Sequence, residues 1–420
     1  MIKSFYFTDF KSFSNSTLHI EDVTTLIGTN ASGKSNAIEG IRILSEVVTG
    51  LDFTVILDGS KNINMGIRGG SKGCCRFNSP SFEIGCVLAF DDKHELRYMI
   101  RINVNDRIYV QREALYLNEA KVFETKNPQS KESGDIKVSY SNGSIGKNPD
   151  LTCIRSSSIL AQMKSKMPAN TIQLKENHKY IEFVISNLKS ILFLEPAPSE
   201  MRGYVRKTDY ELKQNGENIS AVLMQLCQST EKKELFLSII KTLPENEIVD
   251  ISFVETGIGD VICLLSEKYG KGTDIVDAKR LSDGTLRCIS VLAAVITIDE
   301  NSMIIVEEID NGIHPSRAKE LIKSLSRICA ERRVDILFTT HNTTLLNGLA
   351  KEQLPGVSIA YRNKDTGASE FMRFVDIPGY CLLLAGGGIG DNIASDSLTD
   401  AIKNPKPFEH SGFMLEGISI

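Results

Sequence analysis

Eight consecutive residues, Gly28-Thr29-Asn30-Ala31-Ser32-Gly33-Lys34-Ser35, constrain the fold of this chain most tightly. They fit G-x-x-x-x-G-K-[ST], a loop whose backbone N–H groups close on phosphate. The flanks suit it. Val23, Thr24, Thr25, Leu26 and Ile27 make a run of strand length ahead of the loop. Ala37, Ile38, Ile41, Leu44 and Val47 mark one face of a helix over 35–48. Glycine at 28 and 33 lets the backbone close on the phosphates, and the helix N-terminus turns its positive end toward that charge. In this pattern Lys34 reaches the β- and γ-phosphates and Ser35 holds Mg²⁺. The expectation is a buried strand, a P-loop and a helix, with Asn36 just inside the helix.

The rest of the composition fits a folded domain and sets bounds on partners. The chain has 420 residues, 41% of them hydrophobic and 24% charged, as in globular proteins. No apolar run approaches the ~18 residues of a membrane span, and the first seven residues lack a signal-peptide block. The expectation is a cytoplasmic protein with no membrane partner. Nine scattered cysteines without a C-x-x-C read as reduced. A net charge of −5 and the absence of tryptophan do not advertise nucleic-acid binding. Residues 202–213 carry Arg202, Arg206, Lys207 and Lys213, but Asp209 and Glu211 offset them, so the segment reads as a solvated face.

Periodicity organises the remainder. From 81 to about 122 the apolar residues alternate, predicting strands joined by turns. Residues 126–150 read as a polar loop or hairpin tip. Residues 156–168, 177–190 and 216–243 read as helices. Residues 191–194, 302–306 and 334–338 are short buried strands, and 316–329 is an amphipathic helix. No heptad pattern persists, so long coiled-coil arms are not expected. The run Gly386-Gly387-Gly388-Ile389-Gly390 lacks a strand–turn–helix context and reads as the start of a loose tail.

Four later features narrow the chemistry. The apolar strand ending at Glu307-Glu308 has the form of a Walker B element. A carboxylate at the C-terminal end of a parallel strand lies where ligands gather. Glu307 suits Mg²⁺, and Glu308 suits the orientation and deprotonation of an attacking water. Leu281-Ser282-Asp283-Gly284-Thr285 opens a helix, with Ser282 as cap and phosphate donor and Gly284 permitting close backbone approach. His341 follows a buried strand, as a switch histidine sensing the γ-phosphate does. Asn311-Gly312-Ile313-His314-Pro315 occupies the position of a D-loop.

Together these motifs resemble the SMC-like branch of ABC ATPases, and more narrowly the AAA-type ATPases of the OLD and RecF-like group. The resemblance rests on G-x-N-x-x-G-K-S-N at 28–36, L-S-D-G-T at 281–285, the Glu307-Glu308 pair, N-G-I-H-P at 311–315 and T-T-H at 339–341, with support from Phe193-Leu194-Glu195-Pro196 and 215–219. Asp283 replaces the Gly of transporter signatures, and Glu307 the usual Walker B Asp. About 245 residues separate Ser35 from Leu281, more than a transporter ATPase places there.

The resemblance implies an α/β fold, a two-lobed ABC-type ATPase head with a P-loop mixed-sheet core. Lobe I would span 1–90, a β-rich and helical insertion about 91–245, lobe II 246–380 and a C-terminal tail 381–420. It implies ATP and Mg²⁺ as cofactors, with Lys34, Glu308 and His341 catalytic, residues 28–36 on the nucleotide, and Ser35 and Glu307 on the metal. It also implies a homodimer or higher even oligomer, in which Ser282, Asp283 and Gly284 of one copy meet the nucleotide on the other. Gln162 and Gln173 are candidates for a Q-loop. The 79 residues after His341 are too few for the TOPRIM nuclease that OLD proteins append, so a separate effector is expected, a nuclease or toxin as in PARIS- or Septu-type phage defence. The alternatives are a RecF-like repair ATPase that binds DNA directly and a slow ATPase scaffold that sequesters a toxin.

Overall fold

A computed structural model describes residues 1–59, 66–77, 79–127, 133–144, 146–241, 247–395 and 397–403. Among them, fourteen strands form one sheet. Its parallel part runs in the order Leu192–Leu194, Met303–Val306, Asp335–Thr339, Val23–Ile27 and Val357–Arg362. The P-loop strand is thus central, beside the strand that leads to His341, with the Glu307 strand one further out. The antiparallel hairpin partner Ser369–Arg373 then joins this part to Phe13–His19 and Ile2–Phe10. From there the sheet continues through the strands between Ser81 and Ile154.

The parallel strands are apolar because both faces are covered. Their side chains alternate between two cores, as strand geometry dictates. Met303 and Ile305 join the core under helix Lys34–Val47, while Ile304 and Val306 join the core under helices Asp283–Thr297 and Pro315–Arg332. Leu337 and Phe338 divide the same way. A second, four-stranded sheet holds Val205–Arg206, Glu247–Glu255, Asp260–Tyr269 and Gly272–Asp277.

The architecture is the mixed α/β one expected. The longest described helices, Ile172–Lys189 and Pro315–Arg332, have 18 residues, and among the described residues there is no long coiled coil. Among the described residues no helix is long and apolar enough to cross a membrane. Three expectations need correction. The helix read over 216–243 is two helices, Ile219–Leu226 and Thr230–Ile240, because Ser229 caps the second on Lys232 N. The polar stretch 126–150 contains the strand Asp135–Tyr140; its residues 128–132 and 145 lie outside the described residues. The segment read as a loose tail from 386 onward folds into Ile389–Ala394 and Ser397–Lys403, burying Ile389, Leu398 and Ile402. Residues 404–420 lie outside the described ones.

Candidate nucleotide site

The P-loop is shaped by two close approaches. A Cβ on Gly28 would lie 2.2 Å from Ala360 O, and one on Gly33 2.7 Å from Ser369 Oγ. Both glycines also have φ in the left-handed half of the map, 149° and 116°. The hairpin 357–373 therefore presses the loop into its turn. Thr29, Asn30 and Ala31 remain exposed at its crest, and Ala31 has φ 62°. Ser32 is buried, and its Oγ has no hydrogen-bond partner among the described residues. Lys34 folds back over the loop, donating to Gly28 O at 2.7 Å and Thr29 O at 3.1 Å. Burial pulls its ammonium below the usual lysine range, and the charges of Glu308 and Glu307 oppose that pull.

Ser35 and Glu307 meet across 272 residues of sequence. Ser35 Oγ donates to Glu307 Oε2 at 3.1 Å. Burial raises the Glu307 carboxyl above the usual carboxylate range, the Ser35 bond works against this, and Glu195 adds a smaller upward push. A hydroxyl and a partly desolvated carboxylate form a hard-oxygen donor set suited to Mg²⁺. Glu308 follows with φ 50°, a left-handed conformation that costs a non-glycine residue about 1–2 kcal/mol. Its N–H donates to Thr339 Oγ1 at 2.8 Å, and its Oε2 accepts from Asn311 Nδ2 at 3.3 Å. The strained backbone is thus tied to the neighbouring strand and to the following turn.

That neighbouring strand delivers His341, which is exposed. Its pKa falls below the ordinary histidine value, first through desolvation and then through the Lys34 charge, while Glu308 and Asp310 push it up. His341, Lys34 and Glu308 therefore share one electrostatic neighbourhood. Asn342 caps the helix Thr343–Asn347 just after it.

The Leu281–Thr285 turn is split between inside and outside. Ser282 and Asp283 are exposed, while Leu281, Gly284 and Thr285 are buried. Ser282 Oγ accepts from Thr285 N at 3.1 Å, a helix cap, and Arg317 Nη1 donates to Thr285 Oγ1 at 3.2 Å. The close approach foreseen for Gly284 exists within the chain. A Cβ there would lie 2.4 Å from Gly312 O, so this turn packs directly on the 311–315 turn.

Several residues take places the sequence did not suggest. The 202–213 segment is not simply a solvated face. Arg202 donates to Leu281 O at 2.7 Å and Lys279 O at 2.8 Å and pairs with Asp283. Gln162 bonds Ile154 and Gln173 bonds Asn177, and neither makes a hydrogen bond to the P-loop or to the Glu307 turn. Beside Asn36 lies a cavity of about 400 Å³ lined by Lys11, Ser12, Asn36, Arg68, Phe77 and Arg362. Asn36 Nδ2 donates to Ser12 Oγ, and Arg68 Nη2 to Asn36 Oδ1. Phe77 is 84% exposed, with the Arg76 guanidinium 5.0 Å from its ring centre. Arg68, Arg76 and Phe77 lie in a stretch rich in glycine, Gly66, Gly69, Gly70 and Gly73, where an aromatic directly after an arginine is the one signal the sequence offers.

Comparison with known proteins adds to this geometry. Residues 179–347 match the family model described as "AAA domain, putative AbiEii toxin, Type IV TA system". The match takes in the 281–285 turn, Glu307-Glu308 and His341, and leaves out the loop 28–35. No curated protein matches the chain. Among solved structures, an SMC head bound to the C-terminal winged-helix domain of ScpA is 14% identical, with 88% of this chain and 96% of that chain covered and a TM-score of 0.49. An SMC head domain from Thermotoga maritima is 16% identical, covering 89% and 98%, with a TM-score of 0.44. An SMC head with an extended coiled coil, bound to the C-terminal domain of ScpA derived from Pyrococcus furiosus, is 14% identical, covering 88% and 95%, with a TM-score of 0.45.

Proposed function

We propose that this chain is an ATPase that binds ATP with Mg²⁺ between two copies of itself, and that it acts as a cytoplasmic sensor-regulator of a separately encoded effector in phage defence. The observation that carries the nucleotide reading is the Ser35–Glu307 contact next to Lys34, which joins the loop and the Glu307 strand into one site. Lys34 Nζ would exchange the Gly28 and Thr29 carbonyls for β- and γ-phosphate oxygens. The backbone N–H groups of 28–36 would cradle the phosphates at the helix N-terminus. Ser35 and Glu307 would hold Mg²⁺, which supplies charge neutralisation on the β- and γ-oxygens. Glu308, locked by Thr339 and Asn311, would orient a water and take its proton. His341, whose pKa desolvation and the Lys34 charge pull below the ordinary histidine value, would donate to the γ-phosphate. The cavity beside Asn36 suits a ribose and base, with Phe77 for stacking and Arg68 as a polar partner.

Exposed Ser282 and Asp283, set on a rigid cap, suit the nucleotide on a second copy, with Gly284 holding their turn against 311–315. The toxin–antitoxin wording of the family description supports a role beside an effector over a RecF-like role on DNA. ATP affinity and turnover test the site. Loss of the Lys34 charge, an interaction of about 1.5–3 kcal/mol, weakens ATP binding roughly 10- to 100-fold in Lys34→Ala. Unchanged affinity in that variant refutes the site. Co-purification of a neighbouring gene product whose activity follows ATP supports the regulatory half; turnover stimulated by DNA alone would favour the repair reading.

A further inference from the structure

One strap of chain touches both halves of the proposed site. Residues 195–218 leave the edge strand Leu192–Leu194, which pairs with the Glu307 strand. Both limbs of the strap are gripped by Arg42 of the P-loop helix, with Nη2 on Glu195 Oε1 at 2.8 Å and Nη1 on Gln214 Oε1 at 2.9 Å. Glu195 N donates to Gln214 O at 2.8 Å and closes the limbs on each other. Buried Asn218 braces the return limb through the Asp209 and Glu211 carbonyls and Lys213 N.

On its outgoing limb, after the fully buried Met201, the strap sends Arg202 to the turn that precedes helix Asp283–Thr297. Arg202 Nη1 meets the carbonyls of Leu281 at 2.7 Å, Lys279 at 2.8 Å and Ala278 at 3.3 Å, while Nη2 pairs with Asp283. A guanidinium is the wrong charge for a helix N-terminus, where the macrodipole favours anions. Helix stability therefore does not account for it. What it does is fix the carbonyls of Ala278, Lys279 and Leu281 and the Asp283 carboxylate of the segment whose outer face is Ser282 and Asp283. The planar fork of arginine suits that task.

We propose that Arg202 is a positioning residue for the Ser282–Asp283 turn, and that it serves the nucleotide held by the partner copy and not the one on its own P-loop. This inference rests on the two-copy site proposed above. Arg202 makes no hydrogen bond to residues 28–36, so the Arg202→Ala chain is expected to bind ATP within about twofold of wild type. Its turnover is expected to fall at least about tenfold, the value of one hydrogen bond to a charged group.

Mixing full-length subunits tests the direction. A Lys34→Ala chain paired with an Arg202→Ala chain forms one composite site that keeps both Lys34 and Arg202. With random pairing, recovery to about a quarter of wild-type turnover is expected. A Lys34→Ala and Ser282→Arg mixture serves as the control for the two-copy reading alone. Recovery in both mixtures supports the inference. Recovery in the Ser282→Arg mixture only overturns it and leaves the two-copy site standing. Recovery in neither removes both. If Arg202→Ala folds poorly, Arg202→Lys, which keeps the charge but loses the planar fork, is expected to lower kcat with ATP affinity within about twofold of wild type; wild-type kcat in that variant overturns the inference.

Discussion

Gly284→Ala isolates the contact between the Ser282 turn and the 311–315 turn. The added Cβ would sit 2.4 Å from Gly312 O, 3.4 Å from Gly312 C and 3.5 Å from Ile313 Cα. Backbone oxygens cannot rotate away, so the two turns must part by about 1 Å to reach ordinary contact. Both are anchored, by Leu286 at 1% exposure on one side and Ile313 at 7% on the other. Overpacking of this kind costs about 1–3 kcal/mol, and alanine returns up to about 1 kcal/mol of helix propensity. The net loss is modest, and the variant should melt only a few degrees below wild type. Function should suffer more, because a displacement of about 1 Å at a reacting site costs on the order of 100-fold. A steady-state phosphate-release assay beside an ATP-binding titration separates the two effects. The expected result is near-normal ATP affinity with turnover reduced about 10- to 100-fold. Wild-type turnover in Gly284→Ala would refute the claim that this contact sets the Ser282 turn.

Further predictions address the metal side and the sheet. In Ser35→Ala, Glu307 loses the bond that holds its carboxyl down, so its pKa rises further and the Mg²⁺ requirement of turnover should increase; an unchanged Mg²⁺ titration counts against the Ser35–Glu307 pair. Asp335, buried at the start of its strand beside Asp22, has a carboxyl pushed up to about 7, chiefly by burial. The folded state then binds the proton more tightly than the unfolded chain, so its contribution to stability is full below about pH 4 and is lost as pH rises to about 7. Denaturation midpoints of Asp335→Asn at pH 5 and pH 8 should differ less than those of wild type; a wild-type difference would assign the pH dependence to other groups.

The sequence was most legible where the chemistry is local. Gly28, Gly33, Lys34 and Ser35 are fixed by one turn between a strand and a helix, and the strand before Glu307 announces itself by four consecutive apolar residues. Arg202 was misread because its partners lie 76 to 81 residues onward, while Asp209 and Glu211 sit nearby in sequence as apparent neutralisers. The glycines after Gly386 were misread for a similar reason. A Cβ on Gly390 would lie 1.9 Å from Thr343 O, and Asn347 Nδ2 donates to Asp391 Oδ1 at 2.8 Å. This is a docking contact onto the short helix that follows His341, and its partner is more than forty residues upstream. Periodicity also overran the break at Ser229, since apolar spacing continues across it and only the cap marks the boundary.

The central claim, a nucleotide shared by two copies, is tested most directly by the mass of Glu308→Gln in solution. Light scattering with ATP and Mg²⁺ should give twice the 46.4 kDa chain mass, and a return toward one chain mass when Lys34→Ala is added. A Glu308→Gln chain that binds ATP tightly yet keeps the mass of a single chain would contradict the account.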